Sequence, residues 1–189
     1  MPDLEAIRSA LARYPLNTFE AGGLRRSAVL LPLFERRGED FLLFTRRTHH
    51  VRHHRGEISF PGGAWEREDT DLEATALREA EEEVGLRTDD VTVLGRLDDF
   101  ESVHGYHVVP YVGYFEAPYP YRIDPGEIAE MIEVPVSRLR DPDIFRVEDW
   151  RHRGRTVPVF FYTVDDHEIW GLTAEILRQF LELTNEKSG

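Results

Sequence analysis

Four of the eight side chains at residues 78–85, R-E-A-E-E-E-V-G, are carboxylates: Glu79, Glu81, Glu82 and Glu83. If the stretch is helical and Gly85 ends it, these acids sit at the negative end of the helix dipole. That end favours cations by about 0.3–1 kcal/mol per charge. Glu79 and Glu83 are also like charges at i, i+4, which costs about 0.2–0.5 kcal/mol more. Local physics opposes the arrangement, so something else must favour it. An α-helix turns about 100° per residue, so Glu79, Glu82 and Glu83 share an arc of roughly 100°. Leu72, Ala76, Leu77, Ala80 and Val84 form the adjoining apolar face, and Glu81 points elsewhere, toward solvent. Three carboxylates on one edge of a half-buried helix repel each other unless cations sit between them. Hard oxygen ligands select Mg²⁺, Mn²⁺ or Ca²⁺. Mg²⁺ takes one or two protein carboxylates and keeps the rest of its shell for water and substrate phosphate. The bland alternative is a solvated acidic face, the usual fate of a charge run.

The elements that must hold these residues can be read from apolar patterning. Residues 3–13 pattern as a short amphipathic helix with Leu4, Ile7 and Leu11 on one side. The runs S-A-V-L-L-P-L-F (27–34) and F-L-L-F-T (41–45) pattern as strands, and E-R-R-G-E-D between them makes a hairpin. Residues 48–55 read as a loop. Residues 58–60 form a brief strand stopped by Pro61-Gly62-Gly63. The acidic helix is predicted over 71–84, with Thr70-x-x-Glu73 as a capping box and Gly85 just past the end. Strands follow near 91–98 and 107–116. The stretch 124–139 is predicted to be partly helical. A second hairpin is expected around R-H-R-G-R (151–155). A last helix covers 173–183, with Ile176, Leu177, Phe180 and Leu181 facing inward. Strands and helices alternate irregularly, so a mixed β-sheet between helices is the expected α/β architecture.

Composition narrows the functions available. A chain of 189 residues suits one domain with a real core. With 36 acids against 23 Lys and Arg, the net charge is −13, which disfavours nucleic acid and anionic membrane as partners. The absence of cysteine excludes disulfides, thiolate metal sites and thiol catalysis. The start M-P-D-L-E-A-I-R lacks the basic and apolar regions of a signal peptide. No apolar stretch approaches the ~18 residues of a membrane span. A cytoplasmic protein acting on a small molecule is expected.

The region around the acidic helix resembles the Nudix hydrolase family, whose motif is G-x5-E-x7-R-E-U-x-E-E-x-G-U, with U aliphatic. Arg78 through Leu86 match its second half, with Ala80 at the first U. The first half departs: five residues separate Gly63 from Asp69, not Glu, and eight residues rather than seven then precede Arg78. No ligand role is carried over to Asp69. Upstream, L-F-T-R-R-T at 43–48, followed by Arg52, Gly56 and F-P-G-G at 60–63, is similar to L-L-T-x-R-S-x3-R-x3-G-x3-F-P-G-G, a pattern that accompanies the Nudix motif in coenzyme A pyrophosphatases. Phe44 and Thr48 are its departures. Glu127-Ile128, V-P-V at 134–136 and I-W-G-L-T-A at 169–174 are similar to later segments of that subgroup. The likeness therefore spans about residues 27–181 of a single domain over 1–189, and implies a Nudix-type α/β/α sandwich.

The resemblance implies metal-dependent hydrolysis of the diphosphate of coenzyme A or its thioesters, giving 3′,5′-ADP and 4′-phosphopantetheine or its acyl form. Mg²⁺ or Mn²⁺ would be held by Glu79 and Glu83, then Glu82, with a backbone carbonyl at Gly62 or Gly63. Arg78 would orient a neighbouring Glu rather than touch substrate. The base that deprotonates water could be Glu82, Glu127 or Glu130. Residues 46–55, R-R-T-H-H-V-R-H-H-R, form a local anion funnel in an otherwise acidic chain. Arg47 and Arg52 match the subgroup pattern and are the expected substrate contacts, with Gly62 beside them. A histidine-rich metal site is the competing reading of this stretch. Two alternatives remain: a Nudix hydrolase of ADP-ribose or another nucleoside diphosphate derivative, and a non-catalytic nucleotide-binding Nudix module.

Overall fold

Among the described residues fifteen α-helices and β-strands follow in chain order: α1 (Leu4–Arg13), β1 (Arg25–Arg36), β2 (Glu39–Arg47), β3 (Ile58–Ser59), β4 (Gly62–Ala64), α2 (Leu72–Val84), β5 (Thr92–Arg96), β6 (Phe100–Glu101), β7 (Tyr106–Tyr114), β8 (Ile128–Pro135), α3 (Val136–Leu139), β9 (Phe145–His152), β10 (Arg155–Val164), β11 (His167–Trp170) and α4 (Gly171–Leu183). They are seen in a computed structural model that describes residues 3–48, 56–152 and 154–185.

β1 is the central strand, paired in parallel with β7 and antiparallel with β2 and β4, so the sheet is mixed. Its side chains alternate between two cores. Ala28, Leu30 and Phe34 pack on the α2 side, while Leu31 and Leu33 join the core beneath α1 and α4. A strand covered on both faces reads as a continuous apolar run, as residues 27–34 do. The α1–α4 side is thickened by a three-stranded sheet, β11-β10-β9, which contributes Tyr162, Val164 and Ile169. The expected sandwich is therefore present, with the second hairpin extended into this extra sheet.

One proline shapes the part that matters for chemistry. The Leu30 N–H bonds the Pro61 carbonyl, on the side of β1 that faces β4. With a period of two, the N–H at position 32 would point the same way, and Pro32 has none. β1 changes partner there: residues 27–29 pair with β4, and the ladder to β2 begins at Leu33. The segment 58–64 fills the split, with β3 along β2 and β4 along β1. This wedge carries Gly62 and Gly63 beside α2.

Residues 124–139 are partly helical, as expected, but the helical part is small. Half of them form β8, which lies antiparallel along β2 from Phe41↔Pro135 to Arg47↔Ile128; only Val136–Leu139 make a helical turn. The apolar spacing of Ile128, Met131 and Ile132 mimics a helix, but the open edge of β2 takes the segment as a strand. Its faces divide accordingly, with Ile132 and Val134 in one core and Met131 against the other. Among the described residues no helix is long and apolar enough to cross a membrane.

Candidate active site

Helix α2 starts one residue later than its capping-box pattern suggests. Asp71, not Thr70, is the N-cap, and its carboxylate accepts the Ala74 N–H at 2.8 Å. The helix buries Leu72, Ala76, Ala80 and Val84 against β1. Gly85 closes it in the left-handed region at φ 73°, and a Cβ there would meet the Arg122 backbone nitrogen at 2.8 Å. The unpaired carbonyls of the last turn find donors in the following loop: Arg122 N–H bonds Val84 O at 2.9 Å and Asp124 N–H bonds Glu83 O at 3.0 Å. That docking brings Glu127 to the acidic end of the helix.

The four glutamates diverge in environment. Glu81 faces outward and accepts from the Thr88 N–H and hydroxyl. The Glu82 side chain is 60% exposed and meets Arg78 at 3.1 Å. Glu79 is largely covered, and Glu83 is 2% exposed. Burial raises the Glu79 pKa against the pull of Arg78, and pushes Glu83 up to about 8 against the pull of Arg47. One Glu83 oxygen, Oε1, accepts from Arg47 Nη2 at 3.0 Å; the other, Oε2, is buried with no hydrogen-bond partner among the described residues. The same Arg47 nitrogen donates to the Gly62 carbonyl at 3.2 Å. A Cβ on Gly63 would lie within 2.7 Å of three atoms of the Glu79 carboxylate. The β4 backbone thus lies against the partly buried Glu79 carboxylate and shares Arg47 with the buried one of Glu83.

Arg78 is clamped. Its guanidinium donates through Nε and Nη2 to the two oxygens of Asp69 at 2.9 and 3.1 Å, and to the Ala64 carbonyl at 3.0 Å. The remaining nitrogen reaches Glu79 at 3.0 Å. Asp69 also accepts from the Thr75 hydroxyl and the Glu66 N–H. The sequence left Asp69 without a role; its signal was an acid nine residues before an arginine already marked as an orienting group. The Arg78 hydrogen bond holds the Asp69 pKa down at about 2, from an ordinary 3.8. Because the folded pKa is depressed, the stabilisation is complete above about pH 5 and is lost as pH falls through 2. Asp69→Asn should therefore melt lower than the parent at pH 7, and the gap should narrow as pH falls from about 5 to 2. A gap that stays constant in melting curves across that range would remove Asp69 from this role.

The base candidates are not gathered together. Glu127 stands on the α2 side, 52% exposed, with a carboxylate oxygen 3.8 Å from Arg47 Nη1. Its backbone is pinned by the Thr48 N–H at 2.8 Å. Glu130 lies on the opposite face of the sheet, ion-paired with Arg46 and 3.3 Å from His167 Nε2. Strand alternation explains the separation: Glu130 is registered with Arg46, and both share the face of Phe44 and Ile132, away from α2. Glu130 is therefore corrected out of the base candidates. Arg52 lies outside the described residues.

The residues fit a hard divalent cation. Among the described residues no three Asp, Glu or His side chains form a ready cluster. What is present among those residues is the buried carboxylate of Glu83, with one oxygen lacking a donor, the partly buried carboxylate of Glu79, and glycine backbone on the facing wall. Mg²⁺ takes one or two protein carboxylates and completes its shell with water and phosphate oxygens, so this set suits it.

Comparison with known proteins points to one family. The model of the NUDIX domain matches residues 24–160. The chain is 40% identical over 158 residues to the "Uncharacterized Nudix hydrolase NudL" of Photorhabdus laumondii, covering 84% of each chain. It is 37% identical over 175 residues to the NudL of Shigella flexneri, covering 93% of this chain and 88% of the relative. Among solved structures, a Nudix hydrolase from M. smegmatis, RenU, superposes with a TM-score of 0.52 at 21% identity, over 63% of this chain and 75% of that one. A C. elegans Ap4A hydrolase binary complex gives 0.51 at 15% identity, over 59% and 80%.

Proposed function

The chain belongs to the Nudix family of hydrolases, and from that premise we propose that it cuts the diphosphate of coenzyme A or its thioesters, releasing 3′,5′-ADP and 4′-phosphopantetheine or its acyl form. One observation carries the substrate assignment. Two residues of the coenzyme A pyrophosphatase-like pattern lie against the carboxylate helix: Arg47, at the end of β2, donates both to Glu83 and to the carbonyl of Gly62, at the start of β4. Coenzyme A carries a 3′-phosphate besides its diphosphate, and the Arg- and His-rich residues that continue from Arg47, Arg52 among them, supply cationic contacts for it.

Glu79 and Glu83 would hold Mg²⁺ or Mn²⁺, with the Gly63 backbone carbonyl and Glu82 as further ligands. When bound, the cation neutralises the diphosphate and acidifies water. The chain's own groups do the rest. Arg78, braced by Asp69, keeps the Glu79 carboxylate in one orientation. Glu127, on the same face and open to water, accepts the proton of the attacking water. The water oxygen bonds to one phosphorus, the bond to the bridging oxygen breaks, and that oxygen leaves on the other phosphate.

The test is a panel of coenzyme A, dephospho-coenzyme A and ADP-ribose with Mg²⁺ or Mn²⁺, products identified by mass. Coenzyme A should be the fastest and yield 3′,5′-ADP. Equal rates on the first two would remove the 3′-phosphate contact. No metal-dependent hydrolysis of any of the three would favour a nucleotide-binding module instead.

A further inference from the structure

Arg47 is expected from the sequence to contact substrate, yet it is already occupied. Its Nη2 bridges the Glu83 carboxylate and the Gly62 carbonyl, and its Nη1 leans toward Glu127. Glu83 is one of the carboxylates assigned to the metal, and Gly62 is one of the two backbone positions considered for it. A guanidinium keeps its charge at any ordinary pH and has donors but no acceptor. It therefore serves as a fixed cation among acids that would otherwise repel each other. A divalent cation sharing the Glu83 carboxylate would repel a guanidinium left beside it. The Arg47 side chain is 24% exposed, so it has a route outward.

We propose that Arg47 is the resident counter-cation of the site. It holds Glu83 and the Gly62 carbonyl in the metal-free protein, is displaced when a divalent cation binds, and is thereby released to a phosphate of the substrate. One positive charge serves two places in turn, and metal binding prepares the substrate site. This rests on the metal-hydrolase reading above. It differs from a permanent structural ion pair, which would not exchange, and from a simple substrate contact, which would not compete with metal.

The sign of one measurement separates these. Mn²⁺ affinity without substrate, followed by electron paramagnetic resonance of the free ion, should tighten about tenfold in Arg47→Gln, because a charge-assisted hydrogen bond that competes for the ligand is gone. Arg47→Lys, which keeps a cation, should stay nearer the parent. Unchanged or weaker binding in Arg47→Gln overturns the exchange, while a parent that still binds Mn²⁺ leaves the hydrolase reading intact. A parent that binds no Mn²⁺ sinks both. A second measurement needs neither metal nor the Arg47→Gln single variant. In EDTA, Glu83→Gln should bind inorganic pyrophosphate more tightly than the parent, since a neutral amide holds Arg47 more weakly than the carboxylate does, and the double variant should lose that gain. No gain, or a gain that survives in the double variant, overturns the proposal.

Discussion

Glu83→Gln is expected to lower turnover by a factor on the order of 10³ or more while the metal-free protein melts as cooperatively as the parent. The two halves of the expectation have separate causes. Glutamine keeps the volume of a residue that is 2% exposed, so no cavity opens. Its carbonyl oxygen can still accept from Arg47, and the position of Oε2, which has no partner among the described residues of the parent, remains without one there. What disappears is the anionic oxygen that a hard cation requires. Glu81→Gln is the control, because Glu81 faces away and serves only to cap Thr88; its turnover should stay within about twofold of the parent, as surface changes usually do. The measurements are steady-state rates with Mg²⁺ and Mn²⁺, and melting curves in EDTA. Parent-like turnover in Glu83→Gln would end the assignment of this carboxylate to the metal.

The carboxylate helix was legible in the sequence because its information is local. Period, cap and terminal glycine all fall within residues 70–85, and even the error at the N-cap was a shift of one residue between two residues that can both cap. The central strand was legible for a similar reason, since burial on both faces leaves an unbroken apolar run. β8 was not, because its apolar spacing suits either element and the free edge of β2, far away in sequence, decides. The same distance hid the fate of the basic stretch. β2 runs through Arg47 rather than stopping near residue 45, so neighbouring arginines part company: Arg47 turns to Glu83 and Arg46 to Glu130. Charge counting sees two equivalent cations there. Only the strand's alternation separates one that meets the carboxylate site from one that serves the opposite face, and the same alternation removes Glu130 from the chemistry.

Gly62 and Gly63 are adjacent, yet alanine should fail at them in opposite ways. At Gly62 an added Cβ would lie within 2.7 Å of the Ala28 carbonyl oxygen and the Val29 Cα, both backbone of the central strand. Strand β1 is held on both edges and cannot yield, so the β4 ladder must open. Gly62→Ala should cost about 2–3 kcal/mol, in the range of overpacked core positions, and lower the melting temperature by several degrees. At Gly63 the obstacle is the carboxylate of Glu79, the far end of a side chain, which can swing away. Gly63→Ala should therefore fold nearly as well as the parent, but with Glu79 pushed off the position that Arg78 holds for it, and turnover should fall about 10²-fold or more, as a misplacement near 1 Å can cause. Stability and rate measured on both variants give a crossed result if this is right. If both variants lose stability alone, Gly63 serves only the packing of β4, and the Glu79 carboxylate does not need the place it occupies.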